Sequence, residues 1–218
     1  MIYWVCRTLI RMVFHWTLRV RTHGLKAAAR RDGFVLACSH VSHLDPFCLS
    51  AILPRKIGWM ARIEFYRHPI AARLMRAVHA FPVNRQGVPV GAIREALRRL
   101  GRGEIVGVFP EGEIKAGAES VLRGGSIRRG VCLLAQRTGK PVLPCLILGT
   151  EKLNAADPWL PLWRGRLWVA CGEFIEPVAG ASRRREARAE MAARIEAALR
   201  QLYADVRAEW ALDDSALP

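Results

Sequence analysis

Two histidines, an aspartate and three serines crowd the stretch "LACSHVSHLDPFCLS", residues 36–50, where a run of apolar residues ends. His40 and Asp45 are five residues apart, a spacing that diverges on a continuous helix and converges when a loop turns back on itself. A histidine held by a carboxylate suits a general base: the neutral imidazole takes a proton, and the carboxylate fixes the tautomer and stabilises the imidazolium. The same residues admit a structural reading, in which Asp45-Pro46 is an N-cap and first-turn pair and His43 a loop residue. Other chemistries lack their residues. There is no G-x-S-x-G elbow, and "GGSIR" around Ser126 departs from it, so a serine acyl-enzyme is unsupported. No H-E-x-x-H or Cys/His spacing suggests a metal, and no glycine-rich phosphate loop follows a strand. Direct attack by a substrate hydroxyl remains.

The elements that must position these residues alternate along the chain. Strands are expected at 33–38, 57–61, 79–83, 104–109, 141–148 and 166–174, and helices through 46–53 and at 63–76, 88–100, 127–138 and 183–210. The last helix places Met191, Ile195, Leu199, Leu202 and Val206 on one face. Strand-helix alternation predicts a single α/β domain with a largely parallel central sheet flanked by helices, its sites beyond the carboxyl ends of the strands. His40 to Asp45 then lie in a strand-to-helix loop on that rim, and Ser126 is the expected N-cap of the helix at 127–138.

Three further stretches end on the same rim: "FPVNR" at Arg85, "VFPEG" at Glu111-Gly112, and "GKPVLPCLILG" with Pro144 inside a strand. Together with His40-Val41-Ser42-His43-Leu44-Asp45, an H-x-x-x-x-D motif, they follow one another in order over roughly residues 30–150. The sequence in this region resembles the lysophosphatidate (1-acylglycerol-3-phosphate) acyltransferases, the PlsC-like glycerolipid acyltransferases. The resemblance implies the glycerol-3-phosphate acyltransferase-like fold and transfer of a fatty acyl group from a thioester to a lysophospholipid hydroxyl, giving phosphatidate. It implies His40 as base and Asp45 as its partner, with Arg85, Glu111 and Gly112 on the acceptor side. It implies no cofactor and no metal, acyl-CoA or acyl carrier protein being the donor substrate. The chemistry agrees, since a thioester is already activated and needs only a base for the hydroxyl and donors for the oxyanion.

One departure concerns the phosphate. Members commonly continue F-P-E-G with Thr-Arg-Ser, whereas Glu113-Ile114-Lys115 follow here, so Ile114 occupies the place of an arginine that helps bind phosphate. Lys115, Arg123, Arg128 or Arg129 are the cations left to supply the charge. For Arg128 and Arg129 the alternative is a solvated first helical turn.

Length and charge fit this picture. The chain has 218 residues without a Pro-rich or Ser/Gly-rich linker, and 34 Lys and Arg against 19 Asp and Glu give +15. That excess favours an anionic partner. Six scattered cysteines with no C-x-x-C pair suit a reducing, cytosolic context. The N-terminal "MIYWVCRTLIRMVFHWTLRV" is interrupted by Arg7, Arg11 and Arg19 and has no cleavage site, so it reads as neither a spanning helix nor a signal peptide. With Arg7, Arg11, His15 and Arg19 in one stripe beside a wide apolar surface, it is either an interfacial helix on anionic lipid or a helix packed on its own domain. The division is accordingly residues 1–24 as an amphipathic, membrane-associating helix and 25–218 as the acyltransferase domain, at the cytoplasmic face of the membrane, peripheral or monotopic. A basic adaptor for membrane or nucleic acid explains the charge but not the polar residues on the rim, and no nucleic-acid-binding pattern is present, so no nucleic-acid partner is expected. An aminolipid or glycolipid acceptor is the other alternative.

Overall fold

The computed structural model describes residues 2–84, 89–115, 117–151, 165–178 and 184–212. Among the described residues seven strands form one sheet, in the order β1-β7-β6-β2-β5-β3-β4. They are β1 (Leu18–His23), β2 (Phe34–Cys38), β3 (Ile57–Arg62), β4 (Phe81–Val83), β5 (Ile105–Val108), β6 (Val142–Leu148) and β7 (Gly165–Cys171). Every neighbouring pair is parallel except β6 and β7. The expected α/β domain with a largely parallel sheet is what forms. The central strands β2 and β6 are buried along their whole length, which is why "FVLAC" and "VLPCLIL" are unbroken apolar runs rather than alternating ones. Pro144 lies inside β6 in register with Ala37, and its carbonyl accepts the Gly172 N–H at 2.9 Å.

Among the described residues the sheet is accompanied by six helices: α1 (Ile2–Thr17), α2 (Asp45–Ile52), α3 (Pro69–Ala77), α4 (Val90–Gly101), α5 (Gly130–Thr138) and α6 (Arg184–Trp210). Helices α4, α5 and α6 close one face, burying Ala96, Leu100, Val131, Leu134, Met191, Ile195 and Leu199. On the other, Phe14 of α1 and Cys48 and Leu49 of α2 pack on Phe34, Leu36, Ile105 and Leu143. The β2-to-β3 connection carries α2 to this face, and α3, in the β3-to-β4 connection, lies at the β4 edge of the sheet, where its Arg76 lines a groove with Val90, Glu95 and Arg99 of α4.

Two expectations change. The helix expected over 63–76 is broken into a 3-10 turn at Ile63–Tyr66 and α3, because Pro69 forces His68 into extended backbone (φ −91°, ψ 128°). The N-terminal helix ends at Thr17, and Leu18–His23 form β1, paired in parallel with β7. Arg19 therefore belongs to a strand, and Arg7 is buried with its guanidinium on the carbonyls of Leu53 and Pro54 at the end of α2. The stripe of basic residues proposed from the sequence is thus divided: Arg7 fastens α1 to α2, while Trp4, Val5, Leu9, Met12, Val13 and Trp16 remain exposed. No helix among the described residues is long and apolar enough to cross a membrane.

Candidate active site

β2 ends at Cys38, and buried Ser39 turns the chain off the sheet. Its N–H donates to the Cys145 carbonyl (3.2 Å), and its Oγ accepts the Ile147 N–H (3.3 Å), so a side-chain oxygen takes over where the ladder stops. His40 follows, held on both sides of its backbone. Its N–H donates to Glu111 Oε2 (3.0 Å), and its carbonyl accepts the Lys115 N–H (3.3 Å).

The His40 ring places Nδ1 2.9 Å from Asp45 Oδ2. That oxygen also accepts the N–H groups of Val41 (2.8 Å) and Ser42 (2.9 Å), while Oδ1 accepts the hydroxyl of Thr150 at 2.6 Å. Asp45 is fully buried, so its charge rests on these donors. The chain does turn back on itself, bringing His40 and Asp45 together. Asp45 is not an N-cap: Leu44 holds that position, and the carboxylate faces the loop amides upstream instead. His43 is an exposed loop residue.

Aromatic rings fix the imidazole plane. Phe109 stacks on His40 with centroids 3.9 Å apart, and Trp59 stacks on Phe109 at 4.9 Å. Trp59 is held by its indole N–H on Ser50 Oγ (2.9 Å), and Gly107 leaves it room, since a Cβ there would meet the indole at 2.5 Å. With Nδ1 on the carboxylate, Nε2 is the nitrogen left for a proton from outside, and the side chain is 13% exposed. A base of limited solvent access, tautomer fixed and ring clamped, is what the arrangement supplies.

Glu111 takes a different place from the one the sequence suggested. It is only 2% exposed; Oε2 holds His40, and Oε1 accepts the Val121 N–H (2.8 Å) and the Ser120 hydroxyl (3.2 Å). Burial pushes its carboxyl above the usual range despite these bonds. Both oxygens are committed, so Glu111 fastens the "FPEG" loop to the His40 loop rather than facing an acceptor. Gly112 adopts φ +80°, and a Cβ would strike the Arg128 side chain at 2.4 Å. Glycine thus serves both the left-handed turn and the passage of Arg128.

Arg128 donates its backbone N–H to Pro110 (2.7 Å), and its guanidinium lies 3.4 Å from Glu113 Oε1. Lys115 Nζ lies 3.8 Å from the same oxygen and 3.2 Å from Glu119 Oε2. Two of the candidate cations are therefore gathered beside Gly112 around one carboxylate. Arg129 is exposed at the N-cap position of α5, which begins at Gly130; Ser126 does not cap that helix, because the chain between Ile127 and Arg129 is not helical. Arg123 is exposed at the end of a 3-10 turn, and Arg85 lies outside the described residues. Neither Thr150 nor Trp59 stands out in the sequence, and Phe109 enters there only as the first residue of F-P-E-G; Thr150 follows the Pro144 strand by a few residues, and nothing local marks it as a partner of Asp45.

The thiols nearby are poor nucleophiles: burial pushes Cys38 up, and Cys48 to about 12. Among the described residues no cluster of His, Cys, Asp and Glu side chains converges as a metal site. A groove of about 590 Å3 runs beside β4 and the start of α4, lined by Ile63, Arg76, Phe81, Pro82, Val90 and others, apart from the His40–Asp45 pair.

Residues 19–148, which span the dyad, the "FPEG" turn and all of β6, match the family model described as Acyltransferase. The chain belongs to the acyltransferase family. This acyltransferase is 29% identical over 148 residues to the 1-acyl-sn-glycerol-3-phosphate acyltransferase of Bacillus subtilis (strain 168), covering 67% of the chain and 71% of the relative. It is 22% identical over 137 residues to the protein of the same description from Borreliella burgdorferi, covering 62% of the chain and 53% of that relative. Its fold is that of the solved 1-acyl-sn-glycerophosphate (LPA) acyltransferase, PlsC, from Thermotoga maritima, with a TM-score of 0.73 at 21% identity over 94% of this chain and 80% of the other.

Proposed function

We propose that this acyltransferase moves a fatty acyl group from a thioester to the free hydroxyl of 1-acylglycerol-3-phosphate, giving phosphatidate, with acyl-CoA or acyl carrier protein as donor. The observation that carries the reaction is the buried His40–Asp45 pair with its Nδ1 contact of 2.9 Å. His40 Nε2 takes the proton of the acceptor hydroxyl as its oxygen forms a bond to the thioester carbonyl carbon, and Asp45 stabilises the imidazolium. The tetrahedral intermediate collapses with cleavage of the C–S bond, and the departing sulfur receives the proton from His40. No covalent enzyme intermediate is needed, because the thioester carries its own leaving group. The acceptor is supported by the descriptions of the relatives and by Arg128 and Lys115 at the Gly112 turn, where a phosphate would compete with Glu113 for two cations. Arg85 is the further acceptor contact proposed on the motif alone. The working surface is the cytoplasmic face of an anionic membrane, supported by the exposed apolar side chains of α1.

The test is thiol release from acyl-CoA by the purified protein with a panel of lysolipids, run on wild type and His40→Ala. Lysophosphatidate should be the preferred acceptor, and His40→Ala should lose roughly 10^2- to 10^4-fold in kcat while its thermal unfolding is preserved. Near-normal turnover by folded His40→Ala would remove His40 from the chemistry, and a preference for an uncharged lysolipid would remove the phosphate.

A further inference from the structure

We infer that the segment from Ile63 to Ala77, comprising the 3-10 turn and α3, is a second lipid-contacting element that acts with α1 to seat the active-site rim on an anionic bilayer. The inference rests on the membrane reading above and adds a surface that the sequence did not single out. Apart from Val20 and Val90, every exposed large apolar side chain among the described residues lies on α1, at the start of α2, or between residues 63 and 74. Helices α1 and α2 cover one face of the sheet, and the 63–66 turn leaves its carboxyl rim at the end of β3. The opposite face, carrying α4, α5 and α6, presents one among the described residues, Val90 at the start of α4. Ile70 is 74% exposed and Phe65 54%, joined by Ile63 and Leu74. A water-facing helix ordinarily turns such residues inward, whereas α3 buries small Ala72 and directs Ile70 and Leu74 outward.

Charge chooses the occupant. Between Ile57 and Val78 the chain carries Arg62, Arg67, His68, Arg73 and Arg76, and one carboxylate, Glu64, which already pairs with Arg62 at 3.3 Å. Residues 1–31 hold no Asp or Glu at all. Exposed Ile, Leu and Phe interleaved with arginine on a short helix match an anionic headgroup layer over acyl chains.

The placement makes the two elements one surface. Helix α1 runs alongside α2, with Arg7 at the α2 end and Tyr3 against His79 just past α3, their ring centroids 6.4 Å apart. Its other end, with Trp16 80% exposed, delivers the chain into β1. Leu44 and Phe47, exposed in and just after the His40–Asp45 loop, lie on the same face. The 63–66 turn leaves β3 on the rim from which the catalytic loop leaves the parallel strand β2. Contact at α1 alone would leave the molecule free to tilt about the helix axis; a second contact at α3 fixes the tilt and holds that rim at the depth of a lysolipid hydroxyl.

The experiment is co-sedimentation of the full chain with phosphatidylcholine vesicles with and without phosphatidylglycerol. Phe65→Ser/Ile70→Ser/Leu74→Ser is compared with wild type and with the α1 variant Leu9→Ser/Met12→Ser/Trp16→Ser. The α3 variant should lose roughly tenfold or more of its partitioning to anionic vesicles and keep its turnover of a short-chain, soluble acceptor. In wild type, the amides of residues 65–76 should exchange hydrogen more slowly once anionic vesicles are added, a readout independent of how any variant folds. Unchanged partitioning and exchange at α3, with binding lost only in the α1 variant, would overturn the inference and leave the membrane reading intact. Failure of wild type to bind either vesicle would overturn both. If the α3 variant instead abolished a lipid-free dimer, the occupant would be a second copy of the chain, and the inference would fall.

Discussion

Asp45 is the residue on which the site turns, since one buried carboxylate accepts from His40, from two loop amides and from the Thr150 hydroxyl. Exchanging it for asparagine tests charge separately from shape. The asparagine carbonyl oxygen can replace Oδ2, and the Thr150 hydroxyl can turn to accept from the new amide, so the loop keeps its path. Asp45→Asn should therefore fold, with a stability loss of about 1–3 kcal/mol, and lose roughly 10^2-fold or more in kcat because the imidazolium has no counter-charge. Thr150→Val removes the one donor to Oδ1 among the described residues and takes a hydrogen bond from a buried carboxylate oxygen. It should lower kcat with little change in the KM of the donor, and Thr150→Ser should restore it, an outcome that simple loss of packing would not give. Full activity in Thr150→Val would make the hydroxyl a bystander.

Helix α4 shows how an element outside the chemistry steadies the sheet edge. Arg99 is nearly buried, reaches the His79 carbonyl at 2.7 Å, lies over the Phe81 ring, and is held by Glu95 at 2.8 Å. Glu95 is pushed down to about 2, first by its hydrogen bond to Arg98 and then by Arg99. Its depressed value means that the stabilisation is complete above the ordinary carboxylate value of 4.5 and is lost as pH falls toward about 2. The groups are partly in water, so the effect is of order 1 kcal/mol or less. Glu95→Gln should lower the urea midpoint at neutral pH and flatten the fall in stability between pH 4.5 and about 2. An acid limb identical to wild type would mean that the ion pairs contribute nothing.

Apart from Val20 and Val90, the exposed large apolar side chains among the described residues gather on α1, at the start of α2 and between residues 63 and 74, and a net charge of +15 accompanies them. Binding to anionic vesicles should then have two separable parts. Raising salt from about 0.05 M to about 0.5 M shortens the screening length severalfold and should weaken partitioning to anionic vesicles, leaving an apolar remainder that salt does not remove. Partitioning that vanished with salt would assign attachment to charge alone and leave the exposed tryptophans without a role.

The sequence by itself determined the sheet and the dyad, because both depend on short-range pattern. Unbroken apolar runs specify buried parallel strands, and a loop at the end of one of them places His40 and Asp45 within reach of each other. It also determined the place of Pro144, inside a strand. What tertiary structure decided are the contacts between residues far apart in the chain, which no local pattern encodes. Thr150 meets Asp45 across 105 positions and Glu111 meets His40 across 71, because β2, β5 and β6 lie side by side in the sheet. The same packing turned Glu111 from a surface contact into a buried strut and converted Leu18–His23 from the end of a helix into an edge strand. It also sent Arg7 inward while its apolar neighbours stayed outside. A helical repeat of charge and apolar residues defines two faces but not which one meets the protein; that choice belongs to the partner surface, here the carbonyls left unpaired at the end of α2.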